Sequence, residues 1–211
     1  MTERGMIFNA EMVRAILDGR KTQTRRPVKF PVHDRNLGCE LAGNELAGEL
    51  SAGNYLNSAF GKPGDRIWVR ETFCPVDDTQ YGGEKWVDYR ATPKFEASHP
   101  AGWDSAPNDA EALKWRPSIH MPRWASRILL EITDVRVERL NAINEHDAQA
   151  EGVAKLRGGF WKHYQPGWTQ HQLSARGSFV TLWKSIYGDE SWNSNPWVWV
   201  ISFERIEGGA A

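Results

Sequence analysis

Basic side chains and hydroxyl groups are concentrated in the segment that follows Gly19. The cations are Arg20, Lys21, Arg25, Arg26 and Lys29, and the hydroxyl residues are Thr22 and Thr24. No carboxylate lies between these cations, although the whole chain carries a formal net charge of only -1. Such a cluster can bind phosphate groups, and a lysine near a threonine hydroxyl can act as the base that activates it. The segment therefore predicts a phosphate contact, a catalytic pocket or a solvated turn.

A short helix is predicted immediately before this basic segment. Asn9 is a suitable N-cap, and apolar residues between Met12 and Leu17 fall on one helical face. Gly19 can adopt the left-handed conformation that ends a helix, so the helix is expected over about Ala10–Asp18.

Periodicity predicts the other elements. The expected strands are Arg66–Thr72, which follows a turn at Lys62–Asp65, then Trp86–Arg90, Arg127–Val137 and Trp197–Ile206. Two further helices are expected, one from an Asn144 cap to Gly152 and one around Phe179–Ile186 that ends at Gly188.

Three stretches with little periodicity, near 31–60, 75–125 and 153–177, are interpreted as irregular insertions. The order α, β, β, β, α, α, β contains too few strands for a doubly wound sheet. We therefore expect an α+β fold, a small mixed β-barrel with short helices over its openings and long loop insertions. At 211 residues, a single domain over 1–211 is favoured over two.

The composition restricts the classes of partner. A pI near 6.6 argues against broad nonspecific binding of duplex nucleic acid, but it is compatible with a localised basic groove. The apolar runs are too short to cross a bilayer, and the N-terminus lacks a signal-peptide pattern. Cys39 and Cys74 form no C-x-x-C pair. A cytoplasmic protein with reduced thiols, no membrane contact and no obligatory protein partner is expected.

Residue types that bind metals or nucleotides do not form the usual motifs. The six histidines make no H-E-x-x-H or Cys/His grouping, so no metal and no other cofactor is expected. The sequence contains no G-x-x-x-x-G-K-[ST] loop. A magnesium nuclease would need converging carboxylates, whereas the candidates are scattered at Asp65, Glu71, Asp134 and Glu151.

Three separated motifs occur in order: Gly19-Arg20-Lys21-Thr22-x-Thr24-x-Arg26, Lys62-Pro63-Gly64-Asp65-Arg66-x-x-Val69, and Asp147-Ala148-x-x-Glu151-Gly152. Together they resemble the ASCH domain, a relative of the PUA fold, which is a small β-barrel used in RNA-associated proteins. The final strand is similar to the family's closing strand, and the resemblance covers about half of the chain. The segment Lys114–Pro122 resembles a longer subgroup that is often carried by phages and prophages. The resemblance implies a PUA-like barrel.

The resemblance also implies an activity. One small bacterial ASCH type is an amidohydrolase that removes the acetyl group from N4-acetylcytidine. Its proton acceptor is the motif lysine, its nucleophile is the second motif threonine, and its proton donor is a glutamate after the central strands. By motif, these roles fall on Lys21, Thr24 and Glu151, with Glu71 as the next candidate for the acid.

This set of side chains is chemically sufficient for amide hydrolysis. A threonine hydroxyl is a poor nucleophile until a base removes its proton, and a lysine can be that base when its pKa is lowered. Burial and the neighbouring arginines would lower it. The structural alternative is a plain ion pair between Lys21 and Glu151, with Thr24 stabilising a turn.

A non-catalytic module that binds RNA or a modified base is the main functional alternative. In it, the basic segment would hold phosphates while a tryptophan stacked on a base. Trp68 lies within a predicted strand, whereas Trp124 lies between Arg123 and Arg127. The expected partner is a modified nucleoside or single-stranded RNA. The candidate binding residues are Arg20, Thr22, Arg25, Arg26, Trp68, Glu71 and Trp124.

Overall fold

The computed structural model describes residues 1–77, 79, 83–94 and 114–206. Within these ranges it contains nine strands and five α-helices. In chain order they are β1 (Glu3–Ile7), α1 (Ala10–Leu17), β2 (Gln23–Pro27), β3 (Val32–His33), β4 (Glu40–Leu41), α2 (Gly43–Ser51), β5 (Arg66–Arg70), β6 (Phe73–Asp77), β7 (Lys85–Tyr89), β8 (Leu129–Arg139), α3 (Glu145–Ala150), α4 (Ala175–Tyr187), α5 (Asp189–Asn193) and β9 (Trp197–Ile206). The fold is α+β, and its strands pair in both parallel and antiparallel fashion.

Two compact units can be distinguished. The first comprises Met1–Thr2, Asp18–Asp65 and Glu131–Glu204, and the second comprises Glu3–Leu17, Arg66–Leu130 and Arg205–Ala211. The single domain expected over 1–211 stays a prediction. None of the described helices is long and apolar enough to cross a membrane.

The sheet of the first unit places β9 between β8 and β2. β2 runs antiparallel to β9, with Arg25 directly opposite Val200 and Arg26 opposite Trp199. Directly opposed residues point to the same face of a sheet, and neighbours along a strand point to opposite faces. Arg25 and Arg26 therefore lie on different faces of β2.

Helices α3 and α4 cover one face of this sheet. Val198 and Val200 of β9 share a buried core with Ala148 of α3 and with Phe179 and Trp183 of α4. These helix positions follow the 3.6-residue period of an apolar face, so burial rather than helix propensity stabilises the packing. This core supports the strand pair that carries the basic segment.

The second unit contains a parallel pair and a hairpin. β1 runs parallel to β5, with Gly5 opposite Trp68. β6 and β7 are antiparallel, with Asp77 opposite Lys85. The hairpin packs on a small cluster of buried residues, namely Phe73, Met121 and Ala125, against which Val87 and Tyr89 also pack.

Most of the predicted elements are confirmed. Helix α1 ends at Leu17, one residue before the expected end. Asn144 caps α3 by accepting a hydrogen bond from the Asp147 backbone N–H at 2.8 Å, and α4 ends at Gly188. Strands β5, β7, β8 and β9 lie where strands were expected, with ends shifted by about two residues at most.

The other elements were not predicted: β1, β2, β3, β4, β6, α2 and α5. The interpretation of 31–60 as an irregular insertion is wrong for α2, whose short Gly-containing sequence gives little periodic signal. That helix is stabilised by burial of Leu46 and Leu50, and the Glu45 side chain accepts a hydrogen bond from the Ala42 N–H at 2.8 Å. The described strands form no closed barrel, so the structure supports the α+β class without the barrel.

Two glycines of α2 provide a matched test of this packing. A Cβ at Gly43 would overlap the indole of Trp197, whereas a Cβ at Gly48 would meet nothing within 4 Å. The Arg139 guanidinium lies 4.5 Å from that indole's centroid and restrains it. We expect Gly43→Ala to lower the free energy of unfolding by about 1–3 kcal/mol. Gly48→Ala should raise it by about 0.5–1 kcal/mol because alanine favours helix. Chemical denaturation measures both, and equal effects would contradict the packing.

Candidate functional site

The basic segment is held between α3 and β9 by main-chain contacts. Lys21 and Glu151 form an isolated antiparallel bridge, and the Thr22 N–H donates to the Ala150 carbonyl at 2.9 Å. The Thr22 carbonyl in turn accepts from the Phe203 N–H at 2.8 Å. The segment is therefore not a solvated turn: from Gln23 it continues as strand β2.

The ammonium group of Lys21 is buried and fully hydrogen-bonded. Its Nζ donates to the Gln23 carbonyl at 2.8 Å, to the Glu151 carbonyl at 2.9 Å and to Glu151 Oε2 at 2.9 Å. An ammonium has three N–H donors, so these partners use all of them. The side chain of Lys21 has no solvent exposure, and that of Glu151 is 3 % exposed.

Arg25 extends this ion pair into a network. Its guanidinium donates to Glu151 Oε1 at 3.1 Å, to Glu138 Oε1 at 2.7 Å and to Asp147 Oδ2 at 2.9 Å. Asp147 Oδ2 also accepts from Arg136 at 3.1 Å. Buried charges are tolerated when each is paired and hydrogen-bonded. Each of these charges is paired, and the buried Nε of Arg25 is the atom of its guanidinium that has no hydrogen-bond partner among the described residues.

The surroundings lower the pKa of Lys21. Burial is the largest cause, because it disfavours the charged ammonium. The Glu151 carboxylate opposes this effect, while Arg26 and Arg25 add to the lowering. This is the direction that a lysine base requires, and burial and the neighbouring arginines are the two causes expected from the sequence.

Thr24 does not join the buried network. The side chains of Gln23 and Arg25 lie on the same face of β2, where Arg25 donates a hydrogen bond to Gln23 Oε1 at 2.6 Å. Thr24 alternates with them along β2 and lies opposite Ile201, so its side chain faces the other side of the sheet. Because the donors of Lys21 are all directed to Gln23 and Glu151, no hydrogen bond links Lys21 Nζ to Thr24 Oγ1 among these described side chains.

The remaining candidates in the basic segment lie nearer its surface. Arg20 donates to the Gly152 carbonyl at 2.8 Å and pairs with Asp18 at 3.0 Å. Thr22 is exposed. Neither side chain enters the buried network.

Three further candidates belong to the second unit. Both carboxylate oxygens of Glu71 accept from Arg127 at 3.0 Å, and burial raises the pKa of Glu71 while Arg127 opposes the rise. Trp68 is half-buried, with the Arg70 guanidinium 5.4 Å from its ring. Trp124 is 67 % exposed. Glu71 is thus committed to a bidentate ion pair.

A pocket of about 540 Å³ lies beside β2 in the first unit. We call it the Arg26 pocket; it is lined by Arg26, Pro27, Lys29, Pro31, Val32, His33, Arg35, Asn57, Ala59, Phe60, Tyr187 and Trp199. Its size lies within the range of roughly 300–1,000 Å³ that small-molecule sites occupy. As far as these residues show, its lining combines cations with aromatic rings and includes no carboxylate.

Strands β2 and β9, together with the hydrogen-bonded loop that carries Arg35, position these side chains. Trp199 lies opposite Arg26, and the Phe60 ring meets the Trp199 ring edge-on with centroids 5.7 Å apart. Asn57 Oδ1 accepts from the Arg35 backbone N–H at 3.0 Å, and Asn57 Nδ2 donates to Asp34 Oδ2 at 3.3 Å. The loop that carries Arg35 is therefore held in place before any ligand binds.

Hydrogen bonds also organise the turn at Asp34. Its Oδ1 accepts from the backbone N–H groups of Leu37 and Asn36 at 2.8 and 2.7 Å, and these bonds lower the pKa of Asp34. The carboxylate therefore stays ionised at neutral pH and faces main-chain donors. Next to it, His33 Nε2 lies 4.0 Å from Glu40 Oε1.

Arg26 and Lys29 of this pocket belong to the predicted basic cluster, whereas its other residues were not predicted. The available signal was the continuation of the basic run through Lys29 to Arg35. Phe60 and Tyr187 are distant in sequence and carried no local signal. Within the part of the chain described, no group of three or more His, Cys, Asp or Glu residues could hold a metal ion.

Comparisons with protein-family models, curated proteins and solved structures found no match for this chain.

The buried pair provides a direct test of the network. We expect Lys21→Met to lower the free energy of unfolding by about 3 kcal/mol, because Glu151 loses its closest partner while it stays buried. Lys29→Met, the same change at an exposed lysine, should alter it by less than about 0.5 kcal/mol. Adding Glu151→Met to Lys21→Met should give a coupling energy of about 1–3 kcal/mol in urea denaturation. Strict additivity of the two substitutions would show that the pair does not interact.

Proposed function

We propose that this protein binds a phosphorylated nucleoside, either free or within single-stranded RNA, in the Arg26 pocket. One observation carries the proposal: cationic side chains and aromatic rings line the same pocket beside the basic segment. A nucleotide combines an anionic phosphate with a flat ring, so it needs both kinds of surface. A modified nucleoside with a phosphate is included in this class.

The pocket offers separate contacts for the two parts of such a ligand. Lys29 and Arg35 are exposed cations, and charge-assisted hydrogen bonds from such groups to phosphate are among the stronger polar contacts in proteins. Phe60 and Tyr187 are half-buried, so their rings combine a fixed position with an open face. Stacking on such rings accepts any base and is typical of single-strand binding.

We also propose that the chain is a cytoplasmic, ASCH-like protein with a PUA-like barrel. The contact between Lys21 and Glu151 supports this, since it joins the first and third motifs of the resemblance. The second motif forms the turn before β5, where the Asp65 N–H donates to the Lys62 carbonyl at 3.0 Å. These contacts support the proposal without identifying a ligand.

A titration with matched ligands and matched variants tests nucleotide binding. We expect cytidine 5′-monophosphate to bind about tenfold or more tightly than cytidine, because only the first carries a phosphate. Lys29→Ala combined with Arg35→Ala should remove that difference. Lys62→Ala combined with Arg157→Ala changes two exposed cations outside the pocket lining and should preserve it. Calorimetry in a phosphate-free buffer measures each affinity.

The salt dependence provides a second criterion. For a short single-stranded RNA, losing two phosphate contacts should reduce the slope of log K against log salt concentration by about 1.4. An affinity indifferent to salt, or an equal loss in the two double variants, would overturn the proposal.

Amide hydrolysis is the second candidate function, and the buried pair of Lys21 and Glu151 favours it. In that reaction Thr24 Oγ1 would attack the acyl carbon of an N4-acylated cytidine, and the C–N bond would break as the amine leaves with a proton. Water would then hydrolyse the threonine ester, releasing the carboxylic acid and regenerating the hydroxyl. Lys21 would accept the threonine proton and Glu151 would supply the proton for the amine. Because the three donors of Lys21 are directed to Gln23 and Glu151, this route requires the hydrogen bonds of Lys21 to rearrange.

Incubation with N4-acetylcytidine tests this route. If the protein is the hydrolase, cytidine is released, and Thr24→Ala lowers the rate by about 100-fold or more. Thr22→Ala changes an exposed hydroxyl two residues away and should leave the rate unchanged. Absence of cytidine release, or an unchanged rate in Thr24→Ala, would reject hydrolysis and leave nucleotide binding unaffected.

A further inference from the structure

A second pocket, of about 350 Å³, lies within the second unit. We call it the Trp124 pocket; it is lined by Pro75, Val76, Asp77, Lys85, Trp86, Val87 and Trp124. Its residues come from the β6–β7 hairpin and from the turn that carries Trp124. They share none of the lining of the Arg26 pocket, so this site is independent of the function proposed above.

The hairpin register gives the pocket an apolar floor, formed by Pro75 and Val87, and a polar end, formed by Asp77 and Lys85. Pro75 lies opposite Val87, and Asp77 lies opposite Lys85, so all four side chains share one face. Trp86 alternates to the other face. Trp86 also lines the pocket, but Trp124 is the more exposed of the two indoles and so has the more open ring face for stacking.

Trp124 combines an open side chain with a fixed backbone. The Ala125 N–H donates to the Pro122 carbonyl at 3.2 Å, and the Ser126 hydroxyl donates to the Val69 carbonyl at 2.8 Å. Arg123 pairs with Glu3 at 3.0 Å. With both neighbours of Trp124 anchored, the exposed indole is presented at little cost in conformational entropy, which suits a stacking platform.

The polar end presents an acceptor beside a donor. Asp77 Oδ2 lies 2.9 Å from Lys85 Nζ, and Asp77 Oδ1 accepts from the Thr79 hydroxyl at 2.6 Å. The hydrogen bond from Thr79 is the largest cause that lowers the pKa of Asp77 to about 2, with Lys85 contributing further. At neutral pH the carboxylate is therefore ionised, accepts hydrogen bonds only, and has lone pairs for additional donors.

Guanine is the nucleobase whose edge matches this pair. Its N1–H and exocyclic N2–H₂ are adjacent donors that one carboxylate can accept together, and its neighbouring O6 can accept from an ammonium. Adenine, cytosine and uracil each present a single donor group between or beside acceptors. They would leave part of the Asp77 and Lys85 pair unmatched.

We propose that the Trp124 pocket binds an unpaired guanine base, stacked on the Trp124 indole and recognised at its edge by Asp77 and Lys85. The base can come from a free guanine nucleotide or from a single-stranded nucleic acid, since both present the same ring. A quaternary ammonium ligand fits less well, because Lys85 carries like charge at the polar end of the pocket.

Nucleoside preference tests the edge contacts in the full-length chain. We expect guanosine to bind about tenfold more tightly than adenosine, cytidine or uridine. Inosine lacks only the N2 amino group and should bind about fivefold more weakly than guanosine, corresponding to one lost hydrogen bond. Asp77→Asn should abolish the advantage of guanosine over inosine. Equal affinities for the four nucleosides, or a preference that survives Asp77→Asn, would overturn the proposal.

Variants at exposed tryptophans test the stacking contact. Trp124→Ala should weaken guanosine binding about tenfold or more, whereas Trp168→Ala, at another exposed tryptophan, should leave it unchanged. The double variant Lys29→Ala with Arg35→Ala should keep the guanosine preference, which separates this site from the Arg26 pocket.

The source of the base follows from a comparison of guanosine monophosphate with single-stranded pentanucleotides that contain one guanine or none. Tighter binding of the guanine pentanucleotide assigns the site to a strand, and equal binding of the mononucleotide assigns it to a free nucleotide. A proline-rich peptide that binds more tightly than guanosine, and loses affinity in Trp124→Ala, would assign this surface to a peptide and overturn the proposal.

Discussion

The ion pair between Lys21 and Glu151 is the interaction on which the charged interior of the first unit depends. The two residues are 130 positions apart in the chain, and Nζ and Oε2 meet at 2.9 Å with both groups buried. Taking these charges out of water costs several kcal/mol each unless their hydrogen-bonding groups are satisfied. The carbonyls of Gln23 and Glu151 and the guanidinium of Arg25 provide those partners. Since the partners lie on both β2 and the end of α3, the network is complete only when these elements meet in one register.

Alternation along β2 then gives neighbouring arginines different environments. Arg25 points into the network beneath α3 and α4, where its charge is matched by Glu138, Asp147 and Glu151. Arg26 lies on the other face, opposite Trp199, and lines a pocket with other cations. The alternation of side chains along the strand therefore directs Arg25 into the buried network and Arg26 toward the pocket, although the two are neighbours in the sequence.

An element could be predicted from the sequence when the contacts that stabilise it are local in the chain. α3 was predicted from its Asn144 cap and the Gly152 that follows it, and α4 from its apolar period and Gly188; all of these signals are encoded locally. β2 was missed because a strand rich in charge has low intrinsic propensity, and its stability depends on carboxylates more than 110 residues away. For the same reason the sequence could pair Lys21 with Glu151 only through a family resemblance. It could not place Thr24 on the opposite face, since that placement depends on β2 being a strand.

All three N–H donors of Lys21 already have hydrogen-bond partners, and the two candidate functions differ in whether those bonds must break. A lysine whose three donors already have partners must break at least one of those bonds before it can accept a proton from a hydroxyl, and that loss adds to the barrier of any reaction it catalyses. Binding in the Arg26 pocket has no such requirement, because Asn57 and Asp34 already hold the loop of Arg35 and the strand pair already positions Trp199. Preorganised contacts bind a ligand with a smaller entropic cost than contacts that must first be assembled. The network around Lys21 thus favours a role as the rigid support of a binding surface, and catalysis would require it to open.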